Sequence, residues 1–163
     1  MAIRMSPLLS RPGAVPADPP DAGVAAHYGD PLREQRRLTQ GHGLVDLSHR
    51  DVVQVRGPDR LSWLHSLTTQ HLTSLAKDVA TETLVLSPHG HVEHALSLVD
   101  DGEVTWMHLE PGTGPALVDF LDRMRFMLRV EVEHVSEQWA VVAEPLAQPV
   151  SYTHLTLPTT PYV

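Results

Sequence analysis

Three histidines fall within six residues, as His89-x-His91-x-x-His94. Imidazoles at such short range form a zinc-type ligand set if they converge on one point. On a regular strand His91 and His94 face opposite ways, which counts against a shared metal. A solvent-facing turn and the polar side of one strand account for them better. Glu82 precedes this cluster and Glu93 lies within it, and the pattern predicts that they face each other across a hairpin, as do His91 and Thr83. A carboxylate or an imidazole held there could take up or release a proton near neutral pH. His49 and Arg50, at a strand edge, suit an anionic ligand or simply cap the strand. The chain has no Gly-x-Gly-x-x-Gly, Walker loop, His-Glu-x-x-His or nucleophile elbow. Pro111 to Pro115 is glycine-rich, but it lacks the lysine and spacing of a phosphate loop and reads as a strand-to-helix turn. The residues alone name no reaction, and we assign no catalytic residue and no metal ligand.

The elements that must position these groups alternate in period. Asp30-Pro31 reads as a helix start, with a capping carboxylate before a proline, and Gly41 as its stop. Val45, Leu47, Val53 and Val55 alternate with polar residues, as strands do. Gly57-Pro58-Asp59 opens a second helix with Leu61, Leu64 and Leu67 along one side. Residues 81–99 read as a hairpin that turns at Pro88-His89-Gly90. A third strand follows at 103–110. A helix from Thr113 buries Leu117, Phe120, Leu121 and Met124, and two more strands lie around 128–135 and 138–144. Trp63 and Trp106 sit among apolar neighbours and read as core. The mixture predicts an α+β fold of antiparallel sheets with packed helices.

Composition bounds the rest. The 163 residues predict one domain, and 42% hydrophobic content is enough for a core. The formal charge of −8 excludes a general nucleic-acid surface. There is no cysteine, which excludes disulfides, a thiol nucleophile and a Cys-type zinc site in this stretch. No apolar run reaches a membrane span of about 18 residues, and no signal peptide is evident, so a soluble cytoplasmic domain is expected. Residues 1–22 hold Pro7, Pro12, Pro16, Pro19 and Pro20 among small residues and read as a disordered leader. From Val150 the style changes to VSYTHLTLPTTPYV, which resembles a translated sequencing adapter. We expect a partial domain over 24–149 and a non-native tail over 150–163, with poor solubility and exposed apolar surface.

Order and spacing of motifs carry a resemblance over about residues 24–143. Gly43 to His49 (Gly-Leu-Val-Asp-Leu-Ser-His), Gly57 to Asp59, Leu67 to Gln70 and a hairpin turn at Gly90 together resemble the opening of the folate-binding aminomethyltransferase superfamily. That superfamily includes the glycine-cleavage T-protein and the YgfZ-type proteins. His27 to Arg36 resembles the YgfZ-type branch. The resemblance implies a central channel holding tetrahydrofolate, with His49, Arg50, Glu82, Glu93 and His94 near it.

The hairpin separates the branches. In the T-protein paired Asp residues follow the turn, and a carboxylate there suits proton handling beside an iminium-like cation. The corresponding residues here are His94 and Ala95. The resemblance therefore implies a YgfZ-type folate-binding protein, with iron–sulfur enzymes or their assembly machinery as partners and tRNA modification as the downstream process. The YgfZ-type Lys-Gly-Cys-Tyr-x-Gly-Gln-Glu motif belongs to a C-terminal half that this sequence does not include. The alternative is a folate-dependent aminomethyltransferase.

Overall fold

A computed structural model describes residues 4–145, and the chain divides into two units. The unit spanning Asp51–Ser136 is built on one antiparallel sheet. Its strands are β4 (Asp51–Arg56), β5 (Thr81–Leu86), β6 (Val92–Asp100), β7 (Val104–Leu109) and β8 (Glu131–His134), in the order β5-β6-β7-β4-β8. Helices α2 (Arg60–Leu67) and α3 (Gly114–Met124) supply the other half of its core. Alternation sends Val53 and Val55 of β4, Leu96 and Leu98 of β6, and Met107 and Leu109 of β7 to one face. There they meet Trp63 and Leu64 of α2 and Leu117 and Leu121 of α3. Trp63 Nε1 donates to the Met124 carbonyl at 3.1 Å, so its one polar atom is satisfied inside the core.

The residues at both helix starts bond to distant parts of the chain. Asp59 precedes α2, but its carboxylate receives Arg129 instead of capping its own helix. The first amide of α3, Gly114 N–H, donates to Asp51 Oδ2 on β4 at 2.6 Å, a cap supplied by the sheet. Gly57 explains the glycine of the Gly-Pro-Asp motif: its φ is +109°, and a Cβ there would lie 2.0 Å from the Arg129 carbonyl oxygen. The Leu67 to Gln70 motif secures the edge strand β5. Thr69 N–H donates to the Leu84 carbonyl, Thr69 Oγ1 accepts from Leu84 N–H, and Gln70 N–H donates to Thr83 Oγ1.

The second unit is described over residues 4–50 and 137–145. It holds a 3-10 turn at Pro7–Ser10, strands β1 (Val15–Pro16) and β2 (Ala25–His27), helix α1 (Pro31–Thr39), and strands β3 (Val45–Asp46) and β9 (Val142–Ala143). β1 pairs with β2 and β3 with β9, each antiparallel. Asp30 caps α1 by accepting from Arg33 N–H at 3.0 Å, as its position before Pro31 predicts. The expected α+β class holds.

Two expectations need correction. Residues 4–22 are not a structureless leader. Ser6 is buried, and its N–H donates to the Gly23 carbonyl at 2.7 Å, while its hydroxyl donates to the Asp46 carboxylate. Polar ties to distant residues replace the apolar burial that the segment lacks. The strand expected around 138–144 is reduced to Val142–Ala143. The proposed boundary near Pro149 and the segment 150–163 lie outside the described residues. Among the described residues no helix is long and apolar enough to cross a membrane.

Candidate functional site

The β5–β6 hairpin sets the geometry of three of the five candidate residues. Its turn closes with Ser87 N–H donating to the His91 carbonyl and Gly90 N–H to the Ser87 carbonyl. Gly90 takes φ +81°, which the turn requires. The longer turn moves the register away from the sequence expectation. Glu82 pairs with Ser97, Thr83 with Leu96 and Val85 with His94, so neither Glu82 with Glu93 nor Thr83 with His91 is a cross-strand pair. The pairing then slips from Val85 opposite His94 to Leu86 opposite Val92. Glu93 is thus an extra residue on β6, a bulge beside the turn. It is exposed, as is Glu82.

His94 shares its strand face with Leu96 and Leu98, at the end of the apolar core and opposite buried Val85. It is half-buried, and its Nδ1 is buried without a hydrogen-bond partner. Burial pushes its pKa below the usual imidazole value, and the Glu93 charge opposes this only in part. The neutral ring is therefore favoured. Ala95 is exposed on the opposite strand face. Among the described residues no three His, Cys, Asp or Glu side chains come together as a metal site, and His89 and His91 are both exposed.

His49 and Arg50 belong to the other unit. His49 is 1% exposed, and its Nε2 lies 2.8 Å from Asp21 Oδ1. Its Nδ1 is buried with no hydrogen-bond partner, and so is the hydroxyl of Ser48. Close in sequence, Asp46 is buried, accepting from the Ser6 hydroxyl on one oxygen and from Ser48 N–H on the other at 3.0 Å. The hydroxyl of Tyr28 is likewise buried and unpartnered, and burial, with the Asp46 charge, raises its pKa. Buried polar atoms that lack protein partners mark places where a ligand or water supplies the missing bonds. Sequence reasoning missed Ser6, Asp21, Tyr28 and Asp46. Asp46 stands inside the Gly43 to His49 motif, which was its available signal. Asp21 had none, because a carboxylate in a proline-rich stretch carries no period.

Two other polar groupings serve the frame. Asp100 is 3% exposed and receives Arg60 on both oxygens at 2.8 Å, together with the Thr105 hydroxyl. Burial alone would raise the Asp100 carboxyl, but Arg60, Thr105 and the Gly102 amide together hold it below the usual carboxylate value. Ser136, His134 and Asp51 form an apparent Ser–His–Asp set. Both contacts use the same ring nitrogen: Ser136 Oγ lies 2.8 Å and Asp51 Oδ1 3.6 Å from His134 Nε2. A relay needs the two ring nitrogens to face opposite partners, so this set cannot work as one.

Comparison with known proteins agrees with this architecture. The GCVT N-terminal domain family matches residues 25–151. A putative chloroplastic transferase of Arabidopsis thaliana is 29% identical over 125 residues, which cover 74% of this chain and 28% of that protein. An aminomethyltransferase of Symbiobacterium thermophilum is 25% identical over 116 residues, covering 71% of this chain and 26% of that one. The crystal structure of the glycine cleavage system aminomethyltransferase T from Bartonella henselae superposes with a TM-score of 0.74 at 17% identity. That likeness of fold covers 88% of this chain and 41% of the other. The chain thus spans 28% and 26% of the lengths of these two relatives. With sequence match and fold in agreement, the chain belongs to the GCVT N-terminal domain family.

Proposed function

We propose that this chain is part of a YgfZ-type, tetrahydrofolate-binding protein that supports assembly or repair of iron–sulfur enzymes, and through them tRNA modification. The observation that carries this reading is the chemistry after the hairpin turn. Where the glycine-cleavage transferases place paired carboxylates, this chain has His94 and Ala95. Ala95 has no acid–base group. His94 is packed at the core edge, where burial favours its neutral form. A neutral imidazole gives no anionic stabilisation to an iminium-like cation. Folate binding makes a lesser demand: polar groups for the pterin and positive charge for the glutamate. His49, Arg50, Glu82, Glu93 and His94 are the proposed contacts, iron–sulfur enzymes the proposed partners, and the cytoplasm the proposed compartment.

The second reading, a folate-dependent aminomethyltransferase, draws on the name of the Symbiobacterium relative. Two measurements separate the readings. Calorimetry of the full-length protein that carries this chain, with 5-formyltetrahydrofolate, is expected to give saturable binding. An assay for ammonia release from an aminomethylated carrier protein, with tetrahydrofolate present, is expected to give no turnover. Turnover would overturn the assembly-factor reading, and absence of folate binding would overturn both.

A further inference from the structure

Residues 4–24 precede the family-matched region, yet two of their side chains occupy its first motif. Ser6 Oγ donates to Asp46, and Asp21 Oδ1 receives His49 Nε2 at 2.8 Å. Backbone bonds fold the segment over itself: Ser6 N–H to the Gly23 carbonyl at 2.7 Å, Ala17 N–H to Val24 at 3.0 Å, and Val24 N–H to Asp21 at 3.1 Å. The Arg4 guanidinium donates to the Trp139 carbonyl at 2.8 Å. The segment is a strap tied at both ends.

The Asp21–His49 contact is asymmetric. The His49 side chain is 1% exposed and that of Asp21 51%. An ionised carboxylate only accepts, so Nε2 carries the proton and donates. A buried imidazole presenting N–H to a solvent-side carboxylate is an anion-binding arrangement, here filled by the chain's own residue. A purely structural tie would account for Nε2. It leaves unexplained why the hydroxyl of adjacent Ser48, a donor, is buried with no partner. This stretch carries more hydrogen-bonding capacity than Asp21 uses.

We propose that His49 heads a carboxylate subsite whose resident occupant is Asp21, carried on the strap of residues 4–24 and displaced when a ligand carboxylate binds. The inference rests on the folate reading, since the ligand carboxylate it assigns is that of the folate glutamate. An internal occupant lowers the apparent affinity by the fraction of molecules in which the strap is open. Asp21 is half exposed, so its hold is modest, and its removal should tighten ligand binding by about ten-fold.

The test compares the full-length parent protein that carries this chain with its Asp21→Ala and Asp21→Asn variants, using 5-formyltetrahydrofolate as the probe. Asp18→Ala, an exposed position on the same strap, is the control. Hydrogen exchange at the Ser6, Ala17 and Val24 amides reports on the strap. The expected result is tighter binding in Asp21→Ala, a smaller gain in Asp21→Asn, parent affinity in Asp18→Ala, and faster strap exchange when the parent binds the probe. Equal affinity in the parent and both Asp21 variants overturns the subsite and leaves the folate reading standing. Weaker binding in Asp21→Ala also overturns it, because Asp21 would then assist the ligand. If neither parent nor variant binds the probe, the folate reading fails and the subsite falls with it. Asp21→Asn keeps an acceptor oxygen, so it decides the matter if Asp21→Ala does not fold.

Discussion

The two units bury different chemistry. The unit spanning Asp51–Ser136 encloses Val53, Val55, Trp63, Leu64, Leu96, Leu98, Met107, Leu109, Leu117 and Leu121, with polar groups such as Asp100 paired at its margin. The unit described over 4–50 and 137–145 encloses Val24, Ala140 and Val141 beside Ser6, Asp46, Ser48 and His49. Its helix α1 buries no residue, and Leu32 is 70% exposed. Apolar burial is non-directional and stabilises in proportion to area. Buried hydrogen bonds add little net stability but demand particular partners. One unit therefore rests mainly on apolar burial, while in the other the few buried apolar residues are matched by buried polar ones.

That contrast can be broken by mutation. The largest effect is expected from Asp100→Ala, which strands Arg60 in a nearly buried site and should cost about 4 kcal/mol in urea unfolding. The Asp100 carboxyl lies below its unfolded value, so its contribution is present above about pH 4 and is lost as pH falls through the folded value. Acid titration of stability should accordingly be shallower in the variant than in the parent. Leu64→Ala, at a fully buried position, should cost about 3 kcal/mol by the same measurement. Ser6→Ala should cost only about 1 kcal/mol, since Asp46 keeps the Ser48 amide. A loss as large as that of Leu64→Ala would erase the distinction between the units. The smallest effect is expected from His94→Ala. Burial depresses the folded His94 pKa, so its neutral form contributes fully above about pH 6.5 and loses ground as pH falls toward the folded value. The variant should flatten the slope of stability against pH in that window, and an unchanged slope would show that His94 does not titrate in the core.

Local periodicity made most of the fold legible. Asp30-Pro31 marked α1 and Gly57-Pro58-Asp59 marked α2. The alternating runs marked β4 to β8, because a helix start and a half-buried strand each impose a short-range pattern. The hairpin register was not legible, since it depends on how many residues the turn takes up and on the bulge at Glu93. The candidate site was legible only in its motif. Gly43 to His49 pointed to His49, but nothing in 4–22 pointed to Ser6 or Asp21.

By itself the sequence determined the α+β class, the succession of elements and the absence of a carboxylate at His94 and Ala95. Those features depend on residue type and near-neighbour spacing, which the chain carries wherever it folds. Tertiary structure alone decided that Asp51 caps α3, that Asp59 serves Arg129, and that a proline-rich segment brings Asp21 to His49. Each joins residues far apart in the chain through directional hydrogen bonds, and such bonds leave no periodic trace for a sequence to show.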